Sequence, residues 1–216
     1  MPVQTTTYEG GAARNLSESQ VVALARACAF GVPVGFIVGM AKRESGWTEN
    51  QIDTDYDSDG NARENKTYGL LMVSRPEALG ALSLASIDTD ALLDPATNIK
   101  VLCTITARHR TVLAAAASNQ YTEEDMLRYL CWAHNAGVGD PLPGIRQHGL
   151  DWQAALDRNP AGGYVRGRLA RYTDEVIEYV RRYPEMGGGS DDTFGRVLLL
   201  LVAGWFGYSH FFGVRA

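Results

Sequence analysis

Val34, Ile37, Val38 and Ala41 recur at helical spacing, and the next step of three along that stripe lands on a carboxylic acid, Glu44. Apolar residues at i, i+3, i+4 and i+7 mark the buried face of a helix. The acid therefore extends the buried stripe, away from the solvated side that carries Lys42 and Arg43. Gly31-Val32-Pro33 opens the segment, with Pro33 expected at the first helical position, and Ser45-Gly46-Trp47 closes it. A second apolar segment, Tyr68-Gly69-Leu70-Leu71-Met72-Val73, starts on a glycine and offers the opposite wall of a cleft. Between the two lies a polar, carboxylate-rich stretch.

Further helices are signalled by their caps. Ser17-Glu18-Ser19-Gln20 has the capping-box pattern and opens an apolar-periodic helix to about Phe30. Asp94-Pro95 pairs an N-cap with proline at N1 and starts a long helix to the alanine run near Ala117. Thr122-Glu123-Glu124-Asp125 starts another, ending near Asn135-Ala136-Gly137. A Pro/Gly-rich loop follows, then a final helix containing Tyr172 to Tyr183. Gln51 to Lys66 reads as polar loop, and no segment alternates with the period of a strand. The predicted fold is mainly α, with a domain over 1–184, a Gly-rich linker over 185–195 and a hydrophobic helix over 196–216.

Composition narrows the partners. The 216 residues carry a net charge of −5, which leaves no broad basic surface for nucleic acid. Cys28, Cys103 and Cys131 are widely spaced and form no CxxC or Cys/His cluster, so no zinc site is expected. Asp55-x-Asp57-x-Asp59-Gly60 begins like an EF-hand loop, but its last ligand position holds Lys66 in place of a bidentate Glu. Asp55, Asp57 and Asp59 are thus weak calcium candidates on an acidic cleft lip, and no metal or cofactor is expected. The N-terminal residues have neither the basic nor the apolar region of a secretory signal peptide.

From Val197 to Val214 no charged residue interrupts, a run approaching the roughly 20 residues that cross a bilayer core. Arg196 and Arg215 bracket it, and Trp205 and Tyr208 suit a membrane interface. A membrane is therefore an expected partner through 197–214. The alternative is a core helix docked on the domain, or an apolar surface for another protein.

Ala41-Lys42-Arg43-Glu44-Ser45-Gly46-Trp47, Gly69-Leu70-Leu71-Met72-Val73-Ser74 and Ala133-His134-Asn135-Ala136-Gly137-Val138-Gly139 resemble, in order and spacing, three motifs of one superfamily. It comprises the soluble lytic transglycosylases and the goose-type lysozymes. Tyr172-Thr173-Asp174-Glu175 is similar to its late Tyr-containing helix, so the resemblance runs from about Ser17 to Tyr183. It implies a lysozyme-like fold, peptidoglycan glycan strands as substrate, and cleavage between N-acetylmuramic acid and N-acetylglucosamine. Glu44 would be the catalytic acid/base, Ser45 its supporting neighbour, Asn135 part of the cleft floor and Tyr172 part of the wall. The superfamily's usual Gln, Tyr and Asp are replaced here by Met72, His134 and Ser74, so these three are expected to shape the substrate subsites differently.

A glycosidic acid must hold its proton near neutral pH, above the ordinary Glu value of about 4.3. Burial and the helix C-terminus are both expected to raise Glu44. With no Asp at Ser74, the resemblance favours a transglycosylase, in which Glu44 protonates the leaving oxygen and the muramic acid C6 hydroxyl closes a 1,6-anhydro ring. Asp57, as base and substrate-side residue, keeps a hydrolase open. A non-catalytic wall-binding virion protein is the competing class. The domain-plus-anchor arrangement resembles transglycosylases of tailless bacteriophages with an internal membrane. Localisation in a virion beside other virion proteins is therefore expected, with a bacterial membrane as the alternative.

Overall fold

In a computed structural model, residues 4–55, 66–117, 121–158 and 167–188 are described. They are mainly helical, with one small antiparallel sheet. The hydrophobic segment at 196–216 and most of the linker expected before it lie outside the described residues. Among those described, no helix is long and apolar enough to cross a membrane.

The central element is helix α2 (Val34–Ser45), in which every residue from Val34 to Ala41 is buried. A helix that is apolar on all sides is a core helix, and its neighbours cover it from several directions. Helix α1 (Glu18–Cys28) precedes it, and the expected capping box is present: Ser17 Oγ accepts from Gln20 N while Ser17 N donates to the Gln20 side chain. Pro33 caps α2 from outside, one residue earlier than the N1 position expected. Helix α9 (Ala170–Arg182) lies antiparallel against α2 at backbone range, through Gly35 and Gly39.

The sheet corrects the expectation that strands are absent. Strand β1 (Gln4–Tyr8) pairs with β2 (Gln51–Asp55), β2 with β3 (Thr67–Tyr68) and β3 with β4 (Val73–Ser74), all antiparallel. Its first strand is Gln4-Thr5-Thr6-Thr7-Tyr8, exposed from Thr5 to Tyr8, so it shows none of the apolar alternation by which a half-buried strand is recognised. β-branched threonine still favours the pleat. Asp55, an expected loop residue, therefore ends a strand opposite Gln4. Asp57 and Asp59 lie outside the described residues.

β3 and β4 are the arms of a hairpin whose tip, 69–72, is the Gly-started segment read from the sequence. Gly69 has φ +74, and a Cβ there would meet Asn98 Nδ2 at 2.8 Å. Asn98 belongs to α5 (Pro95–Ala116), capped by Asp94 as expected, and its side chain is fully buried. Its amide donates to Tyr68 O at 2.9 Å and Leu92 O at 2.8 Å, and its oxygen accepts from Leu71 N at 2.7 Å. One side chain thus clamps the hairpin to the long helix. Asn98→Ala would orphan three buried backbone groups, each costing about 1–3 kcal/mol. Allowing for relaxation, a loss of about 3 kcal/mol in unfolding free energy is expected, read by urea denaturation.

Helix α3 (Arg75–Leu82) follows β4, and α4 (Thr89–Leu93) leads into α5. Helix α6 (Glu123–Ala136) begins at the expected Thr122 cap and ends where the Asn-Ala-Gly signal placed it. The next stretch holds two short helices where a Pro/Gly-rich loop was expected, α7 (Leu142–His148) and α8 (Trp152–Arg158). Tertiary contacts hold them: Ile145, Leu150 and Trp152 are buried, and Trp152 meets the ring of Tyr129 edge-on at 5.6 Å.

Residues 185–188, the start of the expected linker, are hydrogen-bonded to the domain. Val34 N donates to Glu185 O, Gly187 N to Val32 O and Gly188 N to Arg26 O, while Arg26 and Glu185 form an ion pair at 2.7 Å.

Candidate active site

Glu44 lies in the last turn of α2 with its side chain 18% exposed, so it is largely enclosed. Three helices meet there. From α9 the Tyr172 hydroxyl donates a hydrogen bond to Glu44 Oε1. From α6 His134 Nε2 approaches the same oxygen at 3.4 Å, and the imidazole is only 13% exposed. Met40, one turn earlier on α2, has its sulfur 3.2 Å from the Tyr172 hydroxyl and 3.8 Å from Cys131 Sγ.

The geometry depends on the α2–α9 contact. Gly39 brings α9 close at Val176, Arg43 pairs with Glu175 at 2.9 Å, and the Arg43 guanidinium lies over the Tyr172 ring, 5.3 Å from its centroid. Tyr172 is thereby held on Glu44. Burial and the neighbouring carboxylate push its hydroxyl well above the ordinary tyrosine value, so it remains a proton-bearing donor.

Glu44 does not follow the expected direction. Burial raises its pKa, but the charge and hydrogen bond of His134, with the Tyr172 hydroxyl and Arg43, outweigh burial and hold it below the ordinary value. His134 moves the other way. Burial would lower it, yet Glu44, and then Glu77, raise it. The two opposite shifts favour a carboxylate beside an imidazolium. The largest part of the correction comes from His134, a histidine where the resembling motif has a tyrosine.

The other sequence-derived candidates divide. Asn135 borders the site, donating from Nδ2 to Cys131 O at 2.9 Å and reaching the Tyr172 hydroxyl. Ser45 is turned inward: its Oγ donates to Leu70 O at 2.8 Å and accepts from Thr48 N at 3.1 Å, tying the end of α2 to the hairpin tip. Met72 is buried at that tip with φ 48, an unusual value for a side chain other than glycine. Ser74 caps α3, and its Oγ donates to Glu77 Oε2 at 2.6 Å.

Glu77 and His109 were missed by sequence reasoning. Glu77 acts electrostatically on both His134 and His109, and His109 in turn feels His134. The capping-box spacing Ser74-x-x-Glu77 was the available signal for Glu77. The cysteines are free, and burial pushes the Cys103 thiol up to about 12 and raises Cys28 and Cys131 as well. These thiols are poor nucleophile candidates, since the thiolate is the reactive form. A cavity of about 510 Å³ elsewhere, lined in part by Leu127, Ile177, Val180 and Met186, includes none of the residues around Glu44.

No protein-family model matches the chain, and no curated protein matches it.

Proposed function

We propose that the protein is a peptidoglycan lytic transglycosylase of lysozyme-like fold, with Glu44 as its acid and base. The observation that carries this reading is a largely enclosed carboxyl at the end of a core helix, with Tyr172 donating to one oxygen and part of the side chain still exposed. The ordered motifs around Glu44, the hairpin tip and Asn135 support the substrate class.

In the reaction, protonated Glu44 gives its proton to the oxygen leaving C1 of N-acetylmuramic acid as an oxocarbenium-like centre develops. The resulting carboxylate then takes the proton of the C6 hydroxyl, whose oxygen bonds to C1 and closes the 1,6-anhydro ring. No water is consumed and Glu44 ends protonated. Tyr172 steadies one carboxyl oxygen throughout.

One observation favours hydrolysis as a second reading. The capping box places a carboxylate, that of Glu77, 2.6 Å from Ser74 Oγ, at the position where goose-type lysozymes often carry Asp. Asp57, the sequence-derived base for that reading, lies outside the described residues.

The setting we propose is a virion with an internal membrane, the hydrophobic 197–214 segment holding the enzyme to lipid until genome entry. Dye release from labelled, purified sacculi tests the activity. Soluble dye is expected with the intact protein. Co-sedimentation with sacculi but no release over a wide pH range would overturn it in favour of a wall-binding role.

A further inference from the structure

We propose that His134 is the proton-holding partner of Glu44: in the free protein the shared proton resides on His134 Nε2, and glycan binding returns it to the Glu44 carboxyl for delivery to the glycosidic oxygen. This rests on the transglycosylase reading above and adds to it the source of the catalytic proton. His134 acts through Glu44 and is a positioning residue.

The geometry supplies the route. His134 Nε2 and Glu44 Oε1 are 3.4 Å apart, both side chains are largely enclosed, and they come from different helices, α6 and α2. A charged pair of this kind is stable only while some water reaches it. Sugar bound against the exposed part of the Glu44 side chain removes that water and lowers the local dielectric. The neutral pair, carboxylic acid and imidazole, then gains on the charged one. One proton moves from nitrogen to oxygen, no net charge enters or leaves, and the resulting Glu44 acid is the species the reaction needs. After ring closure Glu44 holds the C6 proton, and His134 recovers it as the product leaves.

The surroundings favour one shared proton. On the imidazole act Glu44 from α2 and Glu77 from α3 as anions, while His109 from α5 is held below the ordinary histidine value by burial and by His134. On Glu44 act Arg43 and the protonated Tyr172 of α9. Cys131, one turn before His134, is a protonated thiol at neutral pH. Two carboxylates on His134 explain why its proton is retained above the ordinary histidine range in the free protein.

The test is the pH profile of dye release for the intact protein and His134→Gln, with NMR titration of the His134 ring in the intact protein and Glu44→Gln. With the pair present, the alkaline limb reports loss of the shared proton. Without the imidazole it reports Glu44 alone, so it should move down by about one to two pH units, cutting alkaline activity about 10–100-fold and sparing acidic activity. The ring should titrate above the ordinary histidine value in the intact protein and below it in Glu44→Gln. A uniform loss with an unshifted limb, or a ring titrating normally in both proteins, would overturn the proposal. Inactivity of the intact protein at every pH would overturn the functional reading and this proposal with it, while the ring titration still reports whether the ion pair exists.

Discussion

Glu44→Gln is expected to reduce glycan cleavage by about 10²–10⁴-fold, the usual contribution of a positioned acid. The amide has nearly the shape of the carboxyl, and its oxygen can still accept from Tyr172, but it has no proton to give. The stability effect should be small and pH-dependent in a defined sense. Glu44 is depressed in the folded protein, so its contribution is present above the ordinary Glu value and lost as pH falls through the folded one. His134 is raised, so its contribution is complete below the ordinary His value and lost as pH rises through the folded one. The pair therefore stabilises most between about pH 4.3 and 6.5, and the variant's deficit should peak there. Thermal unfolding across pH measures this beside dye release. A large activity loss with near-normal unfolding separates chemistry from folding.

Gly35→Ala should lose stability on the scale of Asn98→Ala and disturb the site as well. A methyl group there would lie 2.1 Å from Tyr179 O and 2.4 Å from Tyr179 C, atoms of the α9 backbone that no side-chain rotation can move. Helix α9 must shift, at a cost of about 3 kcal/mol. For a domain of this size that is a fall of about 6–12 °C in Tm. The shift would also draw Tyr172 from Glu44, so activity should fall at temperatures where the variant is folded. Gly80→Ala is the matched control. Gly80 sits inside α3 with open space where its Cβ would go, so the same change should be neutral or stabilise by up to about 1 kcal/mol. Equal effects at both positions would contradict the close α2–α9 packing.

What was legible in the sequence was local. Caps at Ser17, Asp94 and Thr122 act within four residues, and the Val34–Ala41 stripe follows from one helix's own period, so helix starts and the buried side of Glu44 could be read directly. Strands β1 and β2 were hidden because their residues are mostly polar and their pairing spans distant segments. Helices α7 and α8 were hidden because buried aromatic contacts hold them. The site's electrostatics were not legible either, since Tyr172 is 128 residues from Glu44 in the chain and His134 arrives on a third helix. Burial alone gave the wrong sign for Glu44. Two signals were present but unread: the Gly35-x-x-x-Gly39 spacing that admits α9, and Asn98 as a lone amide on an apolar helix face.

The most direct test of a single-carboxylate transglycosylase at Glu44 is mass spectrometry of the fragments released from purified peptidoglycan. Muropeptides ending in 1,6-anhydro-N-acetylmuramic acid, one water lighter than hydrolysed ends and absent with Glu44→Gln, are the predicted result. Reducing ends would contradict it and point to hydrolysis with a second carboxylate, making Glu77 and Asp57 the next residues to replace.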